Sequence, residues 1–170
     1  MSTYAPLVLG TPLVWTSSGG TYNLTCTSLA SGSARQGDKS ATLVDATKGL
    51  PALLEVIVET KVQSAPTDGL TIDCFLGFSS SATAGTDNVG GLTGADGALS
   101  SPSSVTPQMV LAGSVIVSNA IGTGAQRQRF LATPLDAYVI PVFFNNSGQT
   151  VSATGTDSKV TITPLYQQSS

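Results

Sequence analysis

The chain has 170 residues, a net charge of −3, no histidine, and 10% charged residues against about 25% in an average soluble domain. That length makes one domain, or one domain with an arm, and buries enough surface to hold a core without a disulfide or a metal. The acidic balance argues against nucleic acid as the main partner, and the missing histidine removes Ser-His-Asp chemistry and most zinc sites.

Residues 1–20 are punctuated by Pro6 and Pro12 and read as an extended N-terminal arm, ahead of a β domain over 21–170. The arm exposes Tyr4, Leu7, Leu9 and Trp15 unless something covers them, and Trp15 reads either as a core residue or as an interface anchor. Deleting residues 1–20 is expected at this level to leave the domain folded. The start carries no basic n-region, so no signal peptide is expected and the chain reads as soluble and made in a cytoplasm. The longest apolar run, 137–144, falls far short of the roughly 20 residues of a membrane span.

Short strands are expected at 13–16, 22–27 and 41–44. Between them, residues 32–40 look like a phosphate loop but fail on spacing, because Asp38 intervenes between Gly37 and Lys39 and no helix pattern follows. In 53–62, Leu54, Val56, Val58, Thr60 and Val62 share one face, while Glu55, Glu59 and Lys61 share the other, with Ile57 the exception. Residues 64–69 read as a turn. Leu70, Ile72, Cys74, Leu76 and Phe78 then share a face, and the two runs together predict a hairpin. Glu55 and Glu59 sit about 13 Å apart at strand rise, beyond the carboxylate spacing of glycoside hydrolysis. They read as a solvated face or as partners for Lys61, with Asp73 alongside.

Residues 79–104 are rich in Gly, Ser, Ala and Asp and are long for a loop, hence functional or mobile. Within them, 90–96 approaches a calcium-binding nonapeptide, with one residue too many and no repetition; a surface loop is the reading, with a cation shared by Asp87 and Asp96 as the alternative. One helical turn is expected over 105–111, then strands at 109–118 and 126–132. In the latter, Arg127 and Arg129 share a face just before Phe130; they read as a solvated face or as bidentate partners for carboxylates of a neighbouring subunit.

Residues 138–144 are apolar on both faces, so that strand should be covered on both sides, although Pro141 suits an edge or a bulge. Turns at 145–148 and 154–157 flank a short return at 149–152, and 159–165 closes the chain with Val160 and Ile162 facing inward. Cys26 and Cys74 read as two buried thiols, with one disulfide as the alternative. The Asn-x-Ser/Thr matches at 23–25 and 145–147 are read as chance, given the expected absence of a secretory signal. No long amphipathic helix and no internal repeat is present. The fold expected is all-β: a single-domain antiparallel β-sandwich, jelly-roll-like, of about eight strands, with the arm in front.

Residues 73–88 running into 90–96, the strand and Asn145-Asn146-Ser147-Gly148 turn of 139–148, and the closing Thr161-Ile162-Thr163-Pro164-Leu165 together resemble small all-β virion structural proteins of tailed bacteriophages, of the capsid decoration or cement type. The resemblance covers about the last two-thirds of the chain. It implies a scaffold without catalysis, cofactor or metal, bound to a major capsid protein on the virion surface after synthesis in the host cytoplasm. It also implies a homo-oligomer, a trimer being expected, with no nucleic acid or membrane as partner. On that reading Tyr4, Leu7, Leu9, Trp15, Arg127, Arg129 and Phe130 are the interface residues, and the 22 serines and 22 threonines supply hydrogen bonds with little salt sensitivity. A tail, collar or fibre component is the nearest alternative. A carbohydrate-binding sandwich would need exposed aromatic residues, and an enzyme ranks last in a histidine-free chain without a close carboxylate pair.

Overall fold

The period-two runs around residues 54 and 74 both become strands, but not the hairpin that they predict. In the computed structural model, which describes residues 6–168, β5 (Leu53–Thr60) and β6 (Thr71–Ser79) lie in different sheets. Each run has one apolar face, and stacking the two layers buries both faces against each other. The connection over 61–70 is long enough to cross between layers, and Val62 is fastened on the way by a bridge to Val151.

Sheet A has the order β3 (Tyr22–Asn23), β2 (Leu13–Thr16), β11 (Lys159–Gln167), β5, β9 (Gln126–Ala132), with β1 (Leu7–Leu9) also on β11. Sheet B has the order β7 (Gly97–Leu99), β4 (Ser33–Gln36), β10 (Tyr138–Asn146), β6, β8 (Val110–Ile116). Every pairing is antiparallel except the two-residue contact of β2 with β3. Among the described residues, helix is confined to the single turn α1 (Pro102–Val105) and two 3-10 turns, and none is long and apolar enough to cross a membrane.

The inner faces follow the alternation read from the sequence. Leu54, Val56, Val58, Val160 and Ile162 of sheet A meet Ile72, Cys74, Leu76, Phe78, Val139 and Phe143 of sheet B. Cys26 and Cys74 are buried and free. Burial pushes the Cys74 thiol up to about 12 and Cys26 higher still, so both behave as small hydrophobes.

Three expectations need correction. The segment expected as an arm is, over residues 7–16, built into sheet A: β1 and β2 pair with successive stretches of β11, and Trp15 is 0% exposed. Apolar alternation in Leu13, Val14 and Trp15 suits a strand better than a free arm once β11 offers an edge. Pro141 sits in the central strand β10, not at an edge. Its missing N–H faces the point where β4 ends at Gln36, and its carbonyl accepts from Gly37 there at 2.8 Å, so no ladder bond is lost. Residues 41–44 form no strand, and 149–152 contribute only the Val151 bridge.

Candidate interaction face

The two outer faces of the sandwich are finished differently. Over sheet B, the chain between β6 and β8 folds back as a cover. Leu92, Leu99, Val105 and Met109 pack on Phe75, Ile140, Val142 and Phe144, which explains why β10 is apolar on both sides. Gly77 allows this closeness, since a Cβ there would collide with a Leu92 methyl.

Polar fastenings hold the cover. The Asp96 carboxylate accepts from Arg35 Nε at 2.9 Å and Nη2 at 3.2 Å, and from the Thr25 backbone N–H at 3.0 Å. Asp38 accepts from the Asp96 backbone N–H at 2.8 Å and, on its other oxygen, from the Asn23 backbone N–H at 2.9 Å. Gln36 exchanges two hydrogen bonds with Thr93. Lys39, nearly buried, donates to Ser79 Oγ and to the carbonyls of Ser81, Thr83 and Thr86, all within 3.1 Å. The pair Lys39–Ser79 is a sequence-remote contact that no spacing could reveal. Its geometry approaches a serine–lysine dyad, but four oxygens surround the ammonium, which favours keeping it charged, and it holds the loop in place. The residues that looked like a phosphate loop are thus the anchor of the cover. Of the two carboxylates weighed for a shared cation, Asp87 accepts from Ser80 and Asp96 from Arg35.

Sheet A carries no comparable cover among the described residues. Register places its outward side chains in rows. At one end lie Arg127, Glu59 and Lys159, with Arg127 3.6 Å and Lys159 3.3 Å from Glu59; beside them Arg129 is 3.3 Å from Glu55. Lys61 instead pairs with Asp157 at 2.7 Å, so it is not the partner expected for the two glutamates. At the other end, Leu9, Leu165 and Leu53 stand directly opposite one another on β1, β11 and β5, and Leu131 of β9 is the diagonal neighbour of Leu53. Leu9 is 69% exposed, Leu131 61% and Leu7 49%. Beside this end a cleft of about 630 Å³ opens between the β1–β2 break and residues 42–48, lined by Pro12, Val44, Asp45, Lys48 and Tyr166 among others.

Of the residues expected at an interface, Leu7, Leu9, Arg127 and Arg129 share this bare face. The arginines meet carboxylates of their own chain there. Trp15 and Phe130 point inward: Trp15 stacks on Tyr22 at 4.8 Å and donates to the Asp38 carbonyl at 2.7 Å, and Phe130 fills the space left by Gly113 between β9 and β8. Tyr4 lies outside the described residues. Sequence reasoning missed exposed Leu131 and the half-buried Leu53 and Leu165, whose place on this face becomes visible only once register sets them beside Leu9.

Titration gives a check on the fastenings. Burial raises the Asp96 pKa, but the hydrogen bonds from Arg35 and Thr25 outweigh it and hold it below the ordinary value. Bonds from Thr47 and Lys48 lower Asp45, and bonds from Lys61 and Ser152 lower Asp157. The unfolded chain therefore takes up protons first as pH falls, and the stability these groups provide above about pH 4 is lost as pH drops through their folded values. No histidine titrates in between. The urea midpoint is expected to be flat from about pH 5 to 8 and to fall below about pH 4; a clear change between pH 5 and 8 would contradict this account.

No protein-family model, no curated protein and no solved structure matches the chain.

Proposed function

We propose that the chain is a non-enzymatic virion structural protein, a capsid decoration protein on a jelly-roll scaffold that binds the outside of an assembled phage head. Strand order supports the scaffold. Taking β2, β4, β5, β6, β8, β9, β10 and β11 as strands one to eight, sheet A runs one, eight, three, six and sheet B runs two, seven, four, five. That is the order of a double Greek key, an arrangement used by viral capsid and lectin domains alike. Fold alone does not assign function.

The observation that carries the reading is the outer face of sheet A, where exposed Leu7, Leu9 and Leu131 stand beside a charged stripe, whereas its own chain covers the centre of sheet B and leaves only Leu111 and Ile116 of the edge strand β8 exposed there. A protein whose task is to lie on a repeated surface needs such a face, and many weak sites add up on a symmetric shell. The carbohydrate-binding alternative gains less, because Trp15 faces inward and Tyr166 is buried with its hydroxyl donating to the Leu43 carbonyl at 2.7 Å.

Antibody-labelled electron microscopy of purified particles from the source tests the reading. Label spread over the head is the expected result. Label confined to tail or neck would move the protein to the tail, collar or fibre class, and unlabelled particles would overturn the virion reading.

A further inference from the structure

We propose that residues 79–87 form a binding site for a small monovalent cation, and that Lys39 fills it from within the chain. The segment leaves β6 at Ser79 and comes back beside it at Asn88, where the two residues bridge. Gly85 (φ +73°) and Asp87 (φ +52°) adopt left-handed backbone, which folds the excursion back on itself. The result is a ring with carbonyls turned inward. Ser81, Thr83 and Thr86 place main-chain oxygens 2.8, 2.7 and 3.1 Å from the Lys39 ammonium, and Ser79 Oγ lies at 2.9 Å. The Tyr138 ring adds its face at 5.9 Å.

The ring's chemistry selects the class of ligand. Its four oxygens are neutral, and they converge on one point because a positive charge sits there. Their distances of 2.7 to 3.1 Å exceed the about 2.0–2.6 Å of magnesium and calcium sites, and none of the four is a carboxylate, so a divalent ion fits poorly. Backbone carbonyls replace the hydration shell of potassium in channel filters, and three of them do the same for the ammonium here. The lysine itself enters from a different stretch of chain, whose backbone is fixed by the bond from the Lys39 N–H to the Gly94 carbonyl at 2.9 Å. Ring and occupant are therefore separate parts. The binding groups belong to the ring, and the lysine stem only delivers the charge.

The inference is independent of the capsid reading, since it concerns the pure protein. Lys39→Ala removes the side chain from Cγ to Nζ, which has the outline of propylammonium. In choline chloride the amides of 79–94 in this variant are expected to exchange fast. Propylammonium chloride or potassium chloride, each at ten times its Kd, is expected to slow them about tenfold. Tetramethylammonium chloride at the same concentration is expected to leave them unchanged, because it is wider and donates no hydrogen bond. Lys39→Met keeps the stem and opens only the ammonium position, so potassium is expected to protect the segment there and propylammonium is not. Wild type, whose site is filled, is expected to respond to neither. Protection of Lys39→Ala by only one of the two cations would identify that cation as the ligand. No protection by either, equal protection by tetramethylammonium, or an equal response of wild type would each overturn the proposal. Where Lys39→Ala fails to fold, the response of Lys39→Met to potassium decides the matter.

Discussion

Replacing Trp15 by alanine is expected to cost about 3–5 kcal/mol, a large part of the stability of a domain of this size. The side chain is fully buried in sheet A and belongs to the main core. Its ring stacks on Tyr22 at 25° between planes, a contact worth about 0.5–1.5 kcal/mol beyond burial. Its indole N–H reaches the Asp38 carbonyl at 2.7 Å, and Asp38 in turn holds the backbone of Asn23 and Asp96. A cavity at position 15 therefore loosens both the core and the loop that anchors the cover of sheet B. Urea unfolding followed by circular dichroism checks this, since the variant lacks the one tryptophan needed for fluorescence. Trp15→Phe keeps most of the volume and loses the hydrogen bond, so it should fall between wild type and alanine. Deleting residues 1–20 removes the same side chain along with β1 and β2, and is expected to prevent folding. A stable, folded deletion variant would restore the idea of a free arm.

Which face each strand buries was legible because alternation is a local property. Leu54, Val56 and Val58, and Ile72, Cys74 and Leu76, point inward as their spacing requires. Which strand each one pairs with was not legible. Two one-faced strands satisfy the pattern equally well side by side or stacked, and the choice depends on β11 and β10, about a hundred residues further on in the first case and about seventy in the second. The cover of sheet B was hidden for a different reason. Leu92, Leu99, Val105 and Met109 have no shared period, and the groups that fasten them come from residues 25–39. The bare face of sheet A was half legible. Leu7 and Leu9 stood out as apolar residues with nothing local to cover them, and Arg127 and Arg129 as a concentrated pair. Trp15 and Phe130 were grouped with them on chain position alone, but strand alternation turns both toward the core.

Lys39→Met is expected to destabilise the protein by about 1.5–3 kcal/mol and to release the cover over 79–94. Methionine matches the four-atom apolar stem of lysine and lacks only the terminal nitrogen, so packing changes little and the effect isolates the ammonium. In wild type its three protons serve four oxygens between 2.7 and 3.1 Å away, three of them main-chain carbonyls spread over 81–86. Those carbonyls turn toward one point because a cation sits there. Without it they must rotate to water, and the Asn88 side chain, next to this loop, already has one buried oxygen unpaired. Burial works in the opposite direction: it pulls the lysine pKa down, an effect that nearby Asp87 counteracts. Removing the charge thus recovers some desolvation, which keeps the net cost below the sum of the lost bonds. Lys39→Arg should not rescue the loop, because a planar guanidinium cannot place one nitrogen among four converging oxygens. Hydrogen exchange separates loop release from global loss: amides of 79–94 should exchange faster in both variants, while the ladder of β5 with β11 stays protected. Wild-type protection of 79–94 in Lys39→Met would mean that Leu92 and its neighbours hold the cover without the lysine.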